Sequence, residues 1–193
     1  MRSLLLRTAL AAGFAAIVAS GAVKILLPSA EGEEAIIATL RPGDFFGELA
    51  LLDGATRSAT ATSLDASETL TLPRAVLMEL TGIVPGLGDA LLVGLAKELR
   101  RLTSQVEELH FLDLAGRLAM RLTRLAQEAE PDTSGKIRLP WPYTQSDLAA
   151  MIGGTRQSVN RLLAQLVDEG LIEIQPDALV ITDVEELERR AER

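Results

Sequence analysis

The sequence has no cysteine, one histidine and few aromatic side chains. Aromatic residues make up 3% of its 193 residues, although 48% are hydrophobic. Without cysteine the chain can form no disulfide, thiolate zinc site or cysteine-ligated iron–sulfur cluster. His110 has no second soft ligand beside it, which favours a helix surface or a dimer seam over a metal or haem site. With so few rings, the core must be packed from Leu, Ala, Val and Ile.

Positive charge is also scarce, and the formal net charge is −8. This argues against non-specific coating of nucleic acid, but not against a locally basic surface, because association follows the local potential. The length suits one large or two small domains. The sequence shows no cluster of metal ligands and no nucleophile–base pair, so we expect no enzyme, no catalytic residue and no metal site.

The segment from Phe45 to Ala61 is the most informative part of the sequence. It contains Gly47-Glu48-Leu49-Ala50-Leu51, and Arg57 follows nine residues after Glu48. If residues 47–52 form one or two helical turns, their free amides favour an anion such as phosphate. Arg57 can grip the same anion, and Glu48 can accept hydrogen bonds from a neighbouring sugar hydroxyl. The pattern predicts a sugar-phosphate site; the alternative is a surface loop in which Glu48 and Arg57 pair with each other or with water.

This segment resembles the phosphate-binding cassette of cyclic-nucleotide-binding domains. The resemblance implies cyclic AMP, or a related cyclic nucleotide, as an allosteric effector. The residues that match the cassette are Gly47, Glu48, Leu49, Ala50, Arg57 and Ser58. Farther along, Thr103-Ser104 matches the pair that reaches the adenine ring in this family, partly across a dimer. The pair lies one residue closer to Phe111-Leu112-Asp113 than in the family pattern.

The N-terminal residues permit two interpretations. Arg2 and Arg7, followed by an apolar run from Thr8 to Ala19, are typical of a secretory signal, which would make this an exported or membrane-tethered protein. The run is short for a transmembrane helix, since Lys24 interrupts the next apolar stretch. We favour a different interpretation, in which this stretch is a strand of a cytoplasmic protein.

That strand interpretation also comes from a resemblance. Residues 15–24 are similar to an aliphatic strand, a Ser-Gly turn and a following strand of the cyclic-nucleotide-binding domain. The family has two or three further strands before this point, and residues 1–13 do not resemble them. The resemblance therefore implies a β-roll that is incomplete at its N-terminus, from a truncated or misassigned start, with an exposed strand edge.

Alternating hydrophobicity predicts antiparallel strands around the cassette, which together form a small β-roll. The predicted strands are Val23–Leu27, Ala35–Leu40, Arg57–Ser63 and Glu68–Leu72, with turns at 29–34 and 41–44. A helix is predicted to begin near Pro73, since proline is favoured in a first helical turn.

A long helix is predicted from Gly86 to Leu109. Its apolar residues recur at steps of three and four over more than two heptads, which is typical of a two-stranded coiled coil. They are Leu92, Leu95, Leu99, Leu102, Val106 and Leu109. The alternative is that this stripe packs against the chain's own β-roll. The nearly strict period of 3.5 favours a partner helix, and hence a homodimer.

The remaining sequence predicts a winged helix-turn-helix. A helix over Phe111–Glu130 and a short strand over Lys136–Leu139 lead to Thr144, which can cap a helix in a capping box with Asp147. Gly153-Gly154 provides a turn to a second helix. Strands at 171–174 and 179–181 make a hairpin, or wing, before a closing helix that begins near Thr182.

The second helix of this pair carries a face without acidic residues. Arg can read guanine, Gln or Asn can read adenine, and hydroxyl groups suit phosphate contacts. The predicted DNA-contacting residues, with Gln145 from the preceding helix, are Gln145, Thr155, Arg156, Gln157, Ser158, Asn160 and Arg161. The alternative for this region is a helical protein-binding module.

Residues 155–161 resemble the recognition helix of the Crp-Fnr transcription regulators, and Gln157 stands where the family pattern has Glu. The resemblance implies an α+β fold with a cyclic-nucleotide-binding-like β-roll (1–85), a dimerisation helix (86–110) and a winged helix-turn-helix domain (111–193). The expected protein is a cytoplasmic, homodimeric regulator that binds double-stranded operator DNA and RNA polymerase under control of a cyclic nucleotide. The alternative within this fold binds DNA without a nucleotide effector.

Overall fold

The structure, a computed structural model, describes residues 5–6, 14–30, 32–127, 129, 131–132, 135–141 and 143–191. The chain divides into two compact units, Met1–Arg100 and Arg101–Arg193. The division falls inside the long helix rather than at either of its ends. The three-part division at residues 85 and 110 therefore stays a prediction.

The first unit contains two antiparallel sheets. Strands β1 (Leu5–Leu6), β3 (Val23–Pro28), β4 (Glu34–Leu40) and β6 (Thr60–Ser63) form one sheet in the order β1-β6-β3-β4. The second sheet has the order β5-β2-β7 and consists of β2 (Phe14–Ser20), β5 (Phe45–Phe46) and β7 (Glu68–Pro73). The predicted turns are present, since Ser29 N donates to Glu33 O at 2.7 Å and Asp44 N donates to Arg41 O at 2.9 Å.

The apolar run that resembled a secretory signal is a structural strand from residue 14 onward. Strand β2 lies at the centre of its sheet, with Ala15 buried on one face and Ala16 and Val18 buried on the other. Where a strand is buried on both faces, as at Ala15 and Ala16, consecutive positions must be apolar, which gives a continuous apolar run. Residues 8–13 of the run lie outside the described residues. No helix in the described part of the chain has the length and apolar character needed to cross a membrane.

One strand prediction needs correction. The strand predicted over Arg57–Ser63 begins only at Thr60, and Arg57 lies in irregular backbone before it. Strand β6 pairs with β3 and strand β7 pairs with β2, so β6 and β7 lie in different sheets and do not pair with each other. A loop is required at Arg57 because its side chain turns back to bond backbone carbonyl groups, as described below.

At the N-terminus, Leu5–Leu6 pairs with Thr62 and Ala61 of β6, so the sheet includes one short strand from this part of the chain. All the other residues before Phe14 lie outside the described part. The prediction of an incomplete β-roll is therefore untested and stays a prediction.

Helices pack beside the sheets of the first unit: α1 (Glu48–Asp53), α2 (Arg74–Ile83) and the N-terminal part of α3 (Leu87–Phe111). Leu51 and Leu77 are almost fully buried and pack with Ala15 of β2. Leu87 and Leu91 of α3 pack against this cluster. These contacts fix α1 directly against the central strand of the second sheet.

The long helix was predicted over 86–109 and is observed from Leu87 to Phe111. Most of its seam is solvent-exposed in the isolated chain: Leu92 and Leu99 are 65% and 66% exposed, Val106 and Leu109 are 54% and 58% exposed, Leu102 is 37% exposed and Leu95 is half-buried. A stripe packed on the chain's own β-roll would be buried. Within the first unit, the exposure of Leu92 and Leu99 disfavours that alternative for these two residues.

The second unit is a bundle of helices closed by a three-stranded sheet. Its elements after α3 are α4 (Leu114–Gln127), β8 (Ile137–Pro140), α5 (Gln145–Ile152), α6 (Arg156–Asp168), β9 (Ile172–Ile174), β10 (Ala178–Ile181) and α7 (Val184–Ala191). The sheet order is β8-β10-β9, and β9 and β10 form the predicted wing. The buried side chains come almost entirely from Leu, Ile, Val and Ala, as the scarcity of aromatic residues requires.

The helix predicted over Phe111–Glu130 is shorter than expected. Phe111 ends α3, and α4 begins at Leu114, after Asp113. The Asp113 side chain accepts a hydrogen bond from Gly116 N at 2.8 Å, which is the usual action of a capping aspartate. The two helices were predicted separately, but the cap places the start of α4 three residues later than the predicted start at Phe111.

Candidate functional site

The cassette is built around the short helix α1, which lies between two glycines. Gly47 precedes the helix with φ 78° and Gly54 follows it with φ 74°, both in the left-handed region. Ala50 and Leu51 anchor the helix in the core, whereas Leu49 is 51% exposed. The two left-handed glycines let the chain enter and leave this short helix by tight turns.

The Arg57 side chain folds back onto the start of this helix. Its Nη1 donates to Gly47 O at 2.8 Å, and its Nη2 donates to Phe14 O. A Cβ atom at position 47 would collide with Arg57 Nη1, so glycine is required here by the close approach as well as by its φ angle. The predicted juxtaposition of Gly47 and Arg57 is present.

Glu48 lies beside Arg57, half-buried at the start of α1. Burial raises the pKa of Glu48 above its ordinary value of 4.5, and the negative charge of Glu98 raises it further. The Glu48 backbone N–H and the charge of Arg57 partly offset this increase in pKa. The charge of Arg57 acts on Glu48, but the two side chains form no ion pair with each other within 4 Å.

Three residues near the cassette were not found by sequence analysis. The Phe14 ring lies under the guanidinium group of Arg57, at 4.7 Å from Arg57 Cζ to the ring centroid. Arg74 Nε donates to Leu51 O at 2.8 Å and so ties the end of α1 to the start of α2. Glu98 of α3 contributes negative charge near Glu48. All three are distant from the cassette in sequence, and no local pattern marks them.

Helix α3 passes close to the cassette within the first unit. A Cβ atom at Gly94 would lie 2.9 Å from Phe45 Cζ, so the small residue lets the helix approach the strand that precedes Gly47. Because Glu98 follows Gly94 by about one helical turn, this contact places Glu98 on the same side of α3. The remaining predicted effector contacts, Thr103 and Ser104, lie on α3 in the second unit, exposed and half-buried respectively.

The helix pair α5 and α6 begins with the predicted caps. Thr144 Oγ1 accepts a hydrogen bond from Asp147 N at 3.1 Å, and the Asp147 carboxylate accepts one from Thr144 N at 2.9 Å. Thr155 caps α6 in a similar way, since its Oγ1 accepts from Ser158 N at 3.1 Å. Thr155 also donates to Ser158 Oγ at 3.0 Å, which leaves the Ser158 hydroxyl proton free to point elsewhere.

The predicted reading face of α6 is exposed to solvent. Val159, Leu163 and Leu166 are buried against the rest of the second unit. The polar residues on the opposite side are exposed, namely Thr155, Arg156, Gln157, Asn160 and Arg161, while Ser158 is half-buried. Gln145 is exposed at the start of α5. Neither Arg156 nor Arg161 forms an ion pair within the part of the chain that the structure describes.

The acidic residues of the wing, in contrast, are paired with basic residues at or beside the neighbouring strand β8. Lys136 Nζ bonds Glu173 Oε1 at 2.7 Å, and Arg138 Nη2 bonds Asp177 Oδ1 at 3.0 Å. The Glu173 carboxylate raises the pKa of Lys136 through this hydrogen bond. Arg156 and Arg161 of α6 therefore keep a positive charge without an acidic partner among the described residues, whereas Lys136 and Arg138 beside the hairpin do not.

Comparisons with known proteins agree with this geometry. A model of the cyclic nucleotide-binding domain matches residues 3–82, and a model of the Crp-like helix-turn-helix domain matches residues 116–190. The chain is 33% identical over 175 residues to the CRP-like cAMP-activated global transcriptional regulator of Mycobacterium tuberculosis, covering 91% of this chain and 78% of that protein. The chain belongs to the Crp-Fnr family of transcription regulators.

Solved structures of Crp-Fnr regulators have the same fold. A CRP-family transcriptional regulator of Thermus thermophilus superposes with a TM-score of 0.82 at 25% identity, covering 100% of this chain and 94% of that one. The c-di-GMP responsive global regulator of Xanthomonas campestris superposes with a TM-score of 0.76 at 25% identity, covering 94% and 93%. The Crp-Fnr fold therefore accounts for both units, the DNA-binding one and the one with a cyclic nucleotide-binding domain.

Proposed function

We propose that this regulator is controlled by cyclic AMP, or a related cyclic nucleotide, and acts as a homodimer on operator DNA. The observation that carries the proposal is the Arg57 guanidinium group, which is fixed at Gly47 without a carboxylate partner and lies beside the half-buried Glu48. A cation next to a hydrogen-bond acceptor suits a ribose phosphate. The name of the Mycobacterium tuberculosis relative, which describes cAMP activation, supports the same effector.

The effector's phosphate would bind at the start of α1. Arg57 has five N–H donors and uses one each on Gly47 O and Phe14 O, so the remaining N–H groups can donate to phosphate oxygens. Ser58 is exposed next to Arg57 and can donate its hydroxyl. Glu48 would accept hydrogen bonds from the ribose 2′-hydroxyl, and we propose Thr103 and Ser104 for the base.

The DNA would be read by α6. Its N-terminal half carries Arg156, Gln157, Asn160 and Arg161 on an exposed face, and two copies of the chain would place two such helices in successive major grooves. Thr155, Ser158 and Gln145 would position the protein through phosphate contacts. We propose that RNA polymerase meets the dimer on DNA, so that the protein acts in the cytoplasm.

A gel-shift selection from random DNA, performed with and without cyclic AMP, tests this function. We expect enrichment of a two-fold symmetric site that is bound more tightly when cyclic AMP is present. Arg57→Leu should retain the fold but abolish the effect of cyclic AMP, and Arg156→Ala should weaken binding to the selected site by roughly 1–3 kcal/mol.

Each failure has a separate meaning. If the same DNA sequence is enriched with and without cyclic AMP, cyclic GMP or c-di-GMP, the nucleotide effector is excluded. The protein would then be a regulator of the same fold that binds DNA without an effector. If no DNA sequence is enriched under any condition, or if Arg156→Ala leaves discrimination from random DNA unchanged, the assignment of α6 as the reading helix is wrong.

A further inference from the structure

The guanidinium group of Arg57 is held by neutral groups rather than by an acid. Its partners among the described residues are the carbonyl oxygens of Gly47 and Phe14 and the face of the Phe14 ring. A carboxylate in this place would neutralise the cation and compete with any phosphate. Carbonyl dipoles and an aromatic face attract the cation while its full positive charge remains available to an incoming anion.

The register of the second sheet explains why the Phe14 carbonyl group is available. Val18 N donates to Asp44 O, and Gly43 N donates to Val18 O, so the polar groups of Val18 point towards the β5 side of β2. In an antiparallel sheet those of Ala16 and Phe14 point the same way. Ala16 lies opposite Phe46, which is the last residue of β5, so Phe14 has no strand residue to pair with on this side.

Arg57 satisfies the carbonyl group that the sheet leaves unpaired. A half-buried backbone oxygen without a donor is unfavourable, and the Nη2 group of Arg57 supplies the donor. The carbonyl oxygen of Gly47, at the turn into α1, accepts a hydrogen bond from Nη1 of Arg57. The guanidinium plane is thus set by two backbone atoms that belong to the fold, and the ring of Phe14 supports it from one face.

We propose that Phe14 is a positioning residue for effector binding: its ring holds the Arg57 guanidinium group in the orientation that grips the phosphate. The inference rests on the proposed function of the cassette. It adds to the residues needed for effector binding one that lies 43 positions before Arg57 in the sequence. Phe14 acts through Arg57, which it contacts by its ring and its carbonyl group. It lowers the cost of ordering Arg57, so that less binding free energy is lost when the phosphate arrives.

The test uses the full-length chain and isothermal titration with cyclic AMP at fixed ionic strength. Replacing Phe14 with mono-, di- and trifluorinated phenylalanine keeps the shape of the ring and progressively weakens the negative charge on its face. We expect the dissociation constant to rise with each fluorine, to roughly ten times the parent value for the trifluorinated ring. Phe14→Leu, which retains the backbone carbonyl group, should weaken binding to a similar extent, and Phe14→Trp should preserve it.

Phe46→Leu is the matched control, because it removes a ring from the adjacent strand that is not stacked on Arg57. It should leave cyclic AMP affinity near the parent value even if the melting temperature falls. The inference is overturned if affinity is the same across the fluorinated series, or if Phe14→Leu binds like the parent. If the parent protein itself gives no heat of binding with cyclic AMP, cyclic GMP or c-di-GMP, the proposed effector function is wrong. The proposed role of Phe14 in effector binding is then wrong as well.

Discussion

Glu48, a proposed ligand-binding residue, shows at the scale of a single residue how a partly buried carboxyl group reduces the stability of the folded protein at neutral pH. Burial raises the pKa of its carboxyl group, and the charge of Glu98 adds to the increase. The folded protein therefore binds this proton more tightly than the unfolded chain. The stability contributed by protonated Glu48 is fully present below the unfolded pKa and is lost as the pH rises through the folded pKa.

Replacing this carboxylate should accordingly stabilise the ligand-free protein at neutral pH. We expect Glu48→Gln to raise the melting temperature at pH 7, with the difference closing as the pH falls below 4.5. The same substitution should weaken cyclic AMP binding, because an amide is a poorer acceptor for a ribose hydroxyl than a carboxylate. Thermal melts across pH, together with titration calorimetry, measure both effects.

Glu79→Gln provides the matched control, since Glu79 is exposed on α2. It should change neither the pH profile nor the affinity for cyclic AMP. If the Glu48→Gln protein melts at or below the melting temperature of the parent at pH 7, the charged carboxylate of Glu48 does not destabilise the folded state.

At the scale of the element, α3 is a helix of 25 residues without a buried side chain in the isolated chain. Its stripe of leucine and valine residues is largely exposed over more than two heptads, which is unfavourable in water for a monomer. Pairing with a second α3 would bury the stripe in a coiled coil. The same helix approaches Phe45 through Gly94, so the element that would form the dimer also borders the proposed effector site.

A charge in the middle of this stripe should therefore prevent dimerisation. We expect Leu99→Asp to weaken self-association at least about a hundredfold, because pairing would bury two uncompensated carboxylates. Size-exclusion chromatography with light scattering should show a dimer for the parent and a monomer for the variant. Lys97→Asp, an exposed position on α3 outside the stripe, should remain dimeric. A parent protein that is monomeric at micromolar concentration would contradict the proposal.

At the scale of the whole molecule, the question is how an acidic protein binds DNA. The net charge is −8, but Arg156 and Arg161 are exposed on α6 with no acid bonded to them among the described residues, whereas the basic residues near the wing are bonded to acids. Local positive charge can bind phosphate while the rest of the surface repels it. This distribution favours a small number of oriented contacts over a continuous basic surface.

A homodimer with one reading helix per subunit should require two half-sites in helical phase. We expect the selected operator to have half-site centres one DNA turn apart, and insertion of about 5 base pairs between them to reduce affinity towards that of a single half-site. Gel shifts with the lengthened site and with a site whose second half is scrambled should give similar weak binding. Undiminished binding to the lengthened site would show that the two reading helices act independently.

Much of this organisation follows from local sequence. The cap at Thr144, the cap at Thr155 and the left-handed glycines around α1 are local signals, because each acts over fewer than ten residues. The period of α3 and the apolar face of α6 are also local, and both helices lie where the sequence predicts them. The resemblance to the Crp-Fnr family then gave the order of the units correctly.

Tertiary structure decided the features that depend on distant partners. Arg57 leaves its expected strand because Phe14, 43 residues earlier, offers it a carbonyl group and an aromatic face. Glu98 affects the pKa of Glu48 from across the unit, and Arg74 ties down the end of α1. The apolar N-terminal stretch is a central strand only because both of its faces become covered. Local patterns are set by bonds along the chain, whereas these arrangements depend on which segments fold next to each other, and no short window of sequence contains that information.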